Sequence, residues 1–215
     1  MKKPLVCLIT CERSWNNKIA FDQNFLRNRD QFDLAVVFNG NSPEGLAYIE
    51  SVSKPEYLLQ RANLGMDLAG FDYAIKNTPR YETYIFLHDD HWFIDDAWPS
   101  LVDLLYIDAS VDVLGNILSS RVYPPPHHKI ISTVLGYEKY QLEKYPHFLQ
   151  GLAGFYKRKV VDCMLAHGGI PHLLDNHREF TFVAERIHSF ILLDNGIKFG
   201  QIPPGNEQYL KHKRP

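Results

Sequence analysis

Three unbroken apolar runs constrain this chain more than anything else in it. They are Leu5-Val6-Cys7-Leu8-Ile9, Leu34-Ala35-Val36-Val37-Phe38 and Tyr84-Ile85-Phe86-Leu87. A strand with one wet face alternates apolar and polar residues, whereas a strand covered on both faces is apolar throughout. Each run ends abruptly in polar or turn residues: Thr10-Cys11-Glu12, Asn39-Gly40-Asn41 and His88-Asp89-Asp90. Runs of this kind belong to a mostly parallel sheet with helices on both sides. Residues 18–29 supply a helix between the first two, with Ile19, Phe21, Phe25 and Leu26 inward. Strand, helix and strand so joined make a right-handed βαβ unit.

Downstream, the pattern predicts a short strand over 56–60, a helix over 68–76 and a strand over 83–87. Asp95-Asp96 caps a helix running to about residue 106, with Trp98, Leu101, Val102 and Leu105 on one face. A further strand falls at 111–114. Tyr123-Pro124-Pro125-Pro126-His127-His128 must be extended or looped, and residues 123–148 fit no regular element. Order returns with Gln150-Gly151-Leu152-Ala153-Gly154-Phe155-Tyr156 and a helix over 158–167 that Gly168-Gly169 terminates. A longer helix over 179–193 carries Phe180, Val183, Ile187 and Phe190 on its inner stripe. Asn195-Gly196 ends it before a last strand at 197–202.

At 215 residues the chain fits one domain around one core. A net charge of −2 gives no electrostatic case for nucleic-acid binding. Only Lys211-His212-Lys213-Arg214 is locally basic, and it reads as a solvated tail. The three cysteines, Cys7, Cys11 and Cys163, cannot pair completely and lack zinc spacing. A free buried thiol at Cys7 suits a reducing interior. No run approaches the roughly 18 apolar residues of a membrane span. The expectation is a cytoplasmic protein with no membrane span and no nucleic-acid partner.

The chemistry concentrates where the run 84–87 ends, in His88-Asp89-Asp90-His91-Trp92. In an open α/β sheet, ligands collect outside the carboxyl ends of the strands. Carboxylates and imidazoles there suit a divalent ion, Mn²⁺ or Mg²⁺, which could hold a diphosphate. The plainer alternative is a polar turn in which Asp89 or Asp90 caps the next helix.

The order of these pieces resembles the GT-A glycosyltransferases, in particular the large inverting group that uses nucleotide-diphosphate sugars. Four stretches carry the resemblance. Residues 5–13 resemble the opening strand whose end contacts the base. Asn63-Leu64-Gly65-Met66-Asp67-Leu68-Ala69-Gly70 resembles the Asn-x-Gly-x-x-x-Gly segment lying against the nucleotide. His88-Asp89-Asp90 stands where the family places its Asp-x-Asp metal motif. Residues 151–158, with Val160-Val161 and Gly168-Gly169, resemble its strand, arginine-bearing helix start and Gly-Gly turn. Where the family has a Glu-Asp pair on a helix, this chain has Ala184-Glu185, with Gly196 as the glycine beyond. Two departures stand out: His88 replaces the first aspartate of the metal motif, and the base position is a glutamate.

The resemblance implies a single GT-A-like α/β domain over 1–205 with a Rossmann-like, mostly parallel central sheet, and a C-terminal tail over 206–215. It implies transfer of a sugar from a nucleotide diphosphate, a UDP-sugar first among donors, to a hydroxyl of a glycan or other acceptor, with inversion. Asp90 is the first choice as metal ligand because it matches the motif's last aspartate. Asp89 or His91 could ligate as well or orient the ligands, and His88 could touch ribose or phosphate. Glu185 is the candidate general base; the alternative is a surface glutamate paired with Arg186 or another nearby cation. Thr10, Glu12, Arg13, Asn39, Asn63, Gly65, Asp67 and Gly70 join His88 and Asp89 as candidate nucleotide-sugar contacts. Gly65 and Gly70 would allow close backbone approach, and Asp67 would cap its helix or meet base or ribose. His127, His128, His147, His172 and His177 fall where the family builds acceptor sites. Trp92, Trp98, Tyr123 and Tyr140 could stack on sugars, although core packing suits Trp98 better. Two other functions compete: a two-metal phosphoester hydrolase built on residues 88–91, and a nucleotide-sugar-binding module without catalysis.

Overall fold

The run 5–9 is apolar throughout because it lies inside a sheet of seven strands with a packed layer on each face. The computed structural model describes residues 2–14, 23–92, 98–116, 118–119, 129, 133, 136, 147–174, 178–202 and 211–212. Strands β1 (Leu5–Cys11), β2 (Asp33–Asn39), β3 (Tyr57–Arg61) and β4 (Thr83–His88) are parallel, in the order β3-β2-β1-β4. The sheet continues through β9 (Gly154–Lys157), β6 (Val113–Gly115) and β10 (Phe199–Gln201). β9 runs antiparallel to both β4 and β6, while β10 is parallel to β6. Three short pieces stand apart: β5 (His91–Trp92), β7 (Leu118–Ser119) and β8 (Phe148–Leu149), the last two paired with each other.

Successive strand residues point to opposite faces, so each run feeds two cores. Leu5, Cys7 and Ile9 join Ala35, Val37, Tyr84 and Phe86 on one face. Helices α3 (Met66–Asn77), α5 (Arg158–Ala166) and α6 (Arg178–Asp194) cover that face with Phe71, Val160, Met164 and Ala184 among others. Val6 and Leu8 join Leu34, Val36, Phe38, Ile85 and Leu87 on the other. There α1 (Gln23–Arg27), α2 (Pro43–Ser53) and α4 (Ser100–Ile107) bring Phe25, Ile49, Leu101 and Leu105. Nearly all of these side chains are fully buried, and each such burial contributes about 1.5–3 kcal/mol. Trp98 packs in this second layer, its ring 5.3 Å from Phe32, but it stands in the turn that precedes α4 rather than on the helix predicted for it.

The predicted strands and most helices form within a residue or two of their expected limits. Of the helix over 18–29, the described part is Gln23–Arg27, and the Asp95-Asp96 cap lies outside the described residues. Helix α2 was not foreseen. Ser42 caps it by accepting from the Gly45 amide at 3.1 Å, and Pro43 opens its first turn. The ends of α5 and α6 follow their glycines. Gly169 N–H donates to Met164 at 2.9 Å, and Gly196, at φ 74°, lets Ile197 N–H reach Leu192 at 3.0 Å. The basic segment read as a solvated tail is corrected: β11 (Lys211–His212) pairs antiparallel with β5, placing His212 opposite His91. Such a pairing depends on contacts far apart in sequence, which local composition does not report. Among the described residues no helix is long and apolar enough to cross a membrane.

Candidate functional site

Every parallel strand of the β3-β2-β1-β4 half delivers polar residues to the same edge. Register puts Cys11 level with Asn39 and Arg61, and Ile9 level with His88. A cleft of about 330 Å³ opens along this edge. Of the candidate nucleotide contacts, Thr10, Arg13, Asn39, Asn63, Asp67 and Asp89 line it. Cys11, Ser14 and Met66 line it too, none of them among the candidate contacts.

His88 sits 5.3 Å edge-on to the Phe71 ring, with Asp67 on one side and Gly151 on the other. Its Nδ1 lies 3.0 Å from the Asp67 carboxylate and its Nε2 against the Gly151 carbonyl. Both partners are acceptors only, so both ring nitrogens must carry protons. Burial alone would lower the basicity of the ring. The Asp67 charge, the bonds to Asp67 and Gly151, and nearby Asp90 outweigh it and push His88 up to about 10. For Asp67, burial would raise the carboxyl, but His88 holds it below its ordinary value. His88 is therefore a cation with both donors engaged by the protein.

The backbone around this pair is strained. Leu152 and Met66, which adjoin Gly151 and Asp67, have φ of 53° and 49°. Non-glycine residues rarely adopt such values, which cost about 1–3 kcal/mol each and gather at functional sites. The turn at Gly151 is what aims its carbonyl at His88.

Asp89 closes the β1 side of the cleft. Its amide donates to the Ile9 carbonyl at 3.1 Å, and its carboxylate accepts from the Ser14 hydroxyl. Burial raises the Asp89 carboxyl, against the hydroxyls of Ser14 and Thr10, which lower it. Asp90 and His91 follow on the turn into β5. His91 is buried and stacks on His88, centroids 5.1 Å apart, and its Nδ1 lies 3.2 Å from Asp90 Oδ1. Two ligands at right angles on an ion with bonds of about 2.1 Å would be about 3 Å apart. The 3.2 Å between Asp90 and His91 matches the spacing of two ligands on one such ion. Among the described residues no group of three His, Cys, Asp or Glu gathers for a metal.

The remaining candidates divide. Glu12 accepts from the Asn41 amide, packed where Gly40 has no side chain. Gly65 and Gly70 do permit close approach, but the structure shows protein making it. A Cβ on Gly65 would lie 2.7 Å from the Leu173 carbonyl, and one on Gly70 would lie 2.8 Å from Ile9. Asn39 is buried, and its Oδ1 accepts from Arg61 Nη1 at 2.7 Å. Arg61, at the end of the third strand, could have been found by the same strand-end rule.

Glu185 lies on α6, whose residues 183–192 are all buried. The surface-glutamate alternative does not hold, since Glu185 is 4% exposed. Arg186 lies over Phe148 and Phe190, at 5.3 and 5.5 Å. One turn before Glu185 on the same helix face, Thr181 donates to the Met66 sulfur at 3.2 Å. That contact ties this face of α6 to the cleft wall. Of the acceptor-site histidines, His147 is exposed and His172 donates to the Ile170 carbonyl at 2.8 Å. His127, His128, His177, Tyr123, Tyr140 and the Trp92 side chain lie outside the described residues.

No protein-family model matches the chain, and no curated protein matches it. Solved structures do. The mannosyltransferase PcManGT from Pyrobaculum calidifontis, in complex with GDP-Man and Mn²⁺, superposes with a TM-score of 0.56 at 12% identity over 94% of this chain. S. aureus TarS 1-349 in complex with UDP-GlcNAc gives 0.54 at 16% identity over 99% of it. A cytidylyltransferase from Leptospira borgpetersenii serovar Hardjo-bovis gives 0.51 at 17% over 94%. The chain spans 55% of the mannosyltransferase, 59% of the TarS structure and 76% of the cytidylyltransferase. At these identities the likeness establishes the fold: a single α/β domain of GT-A-like architecture with a mostly parallel central sheet.

Proposed function

We propose that the chain is a glycosyltransferase whose cleft holds a nucleotide-diphosphate sugar and passes the sugar to a hydroxyl acceptor. The observation that carries this reading is the Asp90–His91 pair at the end of β4, beside a cleft on the carboxyl edge of a GT-A-like sheet. Support comes from neighbours of the same fold, whose complexes contain GDP-Man with Mn²⁺ and UDP-GlcNAc.

In this reading Asp90 and His91 would hold Mn²⁺ or Mg²⁺, and the ion would supply charge neutralisation for the departing diphosphate. Thr10, Arg13, Asn63 and Asp67 face the nucleotide across the cleft. The His88 imidazolium, engaged on both sides, fixes Asp67 and the Gly151 turn and adds positive charge beneath the diphosphate. Glu185 takes the proton from the acceptor hydroxyl. The hydroxyl oxygen bonds to the anomeric carbon as the bond from that carbon to the phosphate oxygen breaks, and the nucleoside diphosphate leaves with the electron pair. Attack opposite the leaving group inverts the anomeric centre.

Incubation with a panel of nucleotide sugars, Mn²⁺ and simple glycosides tests the reading directly. Free nucleoside diphosphate should accumulate together with a glycosylated product. Nucleotide monoester hydrolysis without sugar transfer would favour the hydrolase instead, and tight binding without turnover the non-catalytic module.

A further inference from the structure

Helix α6 buries an imidazole whose Nε2 no hydrogen bond engages. His188 is 1% exposed, and its Nε2 is a buried atom without a hydrogen-bond partner. Replacing such a group by an apolar one of the same shape is neutral or stabilising, so an imidazole kept there calls for a reason. Burial pushes the ring down to about 3. At neutral pH it is therefore uncharged, with one N–H and one lone pair.

The helix fixes what this ring can reach. Ala184 and Leu192, four residues to either side of His188, both belong to the core between α6 and the sheet, so His188 faces that core as well. Glu185, three residues before it and 4% exposed, shares the face. Burial first, and the Glu185 charge second, raise the Tyr156 phenol of β9, which puts the carboxylate on the sheet side of the helix too. Thr181 completes the face, and its hydroxyl donates to Met66 on the cleft wall. The stripe Thr181-Glu185-His188 thus runs from the cleft inward, with the imidazole one turn behind the carboxylate.

We propose that His188 is the positioning residue of the base: its N–H takes one oxygen of the Glu185 carboxylate and leaves the other to the acceptor hydroxyl. Side chains three apart on a helix have Cβ atoms about 5–6 Å apart, within reach of a rotation of the glutamate. Catalytic hydrogen bonds often form only with the reactants in place, so a donor can stand one turn from its carboxylate without bonding it. A buried carboxylate resists ionisation, and a donor beside it favours the charged form that a base needs. The inference rests on Glu185 being the base that takes the acceptor proton.

Transfer kinetics of His188→Met and His188→Gln in the full chain test it, with Mn²⁺ and the nucleotide sugar and acceptor that the wild type turns over. Methionine fills the volume without an N–H donor, whereas the glutamine amide sets an N–H near the Nε2 position. His188→Met should lose about tenfold or more in kcat, the weight of one hydrogen bond to a charged group, with the KM for the donor sugar unchanged. Its melting temperature should equal or exceed that of the wild type. His188→Gln should recover most of the kcat. In a Glu185→Gln background His188→Met should cost nothing further, because residues that act as a unit are not additive. His188→Leu, a second filling without a donor, gives the same reading if methionine does not fold. Full kcat in the donor-free variants makes the imidazole core filling and overturns the inference alone. So does a loss that glutamine fails to rescue, or one that persists undiminished in the Glu185→Gln background. A wild type that transfers no sugar overturns the glycosyltransferase reading, and this inference with it.

Discussion

His88 and Asp67 form an ion pair, 3.0 Å apart, that joins the end of β4 to the first turn of α3. With the Gly151 carbonyl on the other ring nitrogen, the pair ties together three segments distant in sequence at the base of the cleft. The aspartate expected at position 88 from the GT-A resemblance would be negative. Here that place holds a positive charge and delivers the negative one through Asp67.

The charge state of His88 is the first testable consequence. In the wild type its ring should stay protonated through neutral pH and titrate near 10. Asp67→Asn removes the carboxylate while the burial remains, so the titration should move down by several units. Proton–nitrogen NMR of the imidazole follows both proteins, and an unmoved midpoint would refute the pairing.

A second consequence concerns Asp90. Asp90→Ala should abolish the Mn²⁺-dependent part of nucleotide-sugar binding while the fold persists, because the proposed metal site draws on Asp90 and His91 and loses its one carboxylate. Calorimetry with and without Mn²⁺ measures it. Unchanged metal-dependent affinity would remove Asp90 from the site.

Glu185 separates catalysis from packing. Glu185→Gln keeps shape and most hydrogen bonds, so donor affinity should stay near wild type while transfer falls by about 10²–10⁴. A purely structural glutamate would show the reverse: a lower melting temperature with activity per folded molecule preserved. Both readouts come from one sample.

His188 sets an acid limit on stability. It is 1% exposed, and burial pushes its imidazole down to about 3 from an ordinary 6.5. The folded state therefore binds fewer protons than the unfolded chain between these values. The stabilisation is complete above about pH 6.5 and declines as pH falls toward 3, by about 1.4 kcal/mol per unit. Urea unfolding at pH 7 and at pH 5 should show a steeper loss for the wild type than for His188→Gln. Parallel losses would place the titration elsewhere.

Much of the fold was legible because it rests on local periodicity. The runs at 5–9, 34–38 and 84–87 are apolar without alternation, and burial on both faces is the condition that requires it. Helix α6 was legible as a helix but not in its surroundings. Glu185, Arg186 and His188 look like a solvated face, yet all three are buried. Ser42-Pro43-Glu44 carried a helix start that the apolar pattern of 46–52 was too weak to advertise.

The sequence by itself determined which residues stand at the carboxyl edge of the sheet, since strand ends follow from where apolar runs stop. It could thus point to Thr10, Asn39 and residues 88–91 without any coordinates. Only the tertiary structure decided their states. That His88 is a cation follows from acceptors at positions 67 and 151, and that Asn39 turns its amide oxygen to Arg61 follows from the pairing of β2 with β3. Both depend on side chains brought within about 3 Å by strand pairing and loop closure. Hydrogen bonds act only at that range, and the spacing of residues along a chain does not encode it.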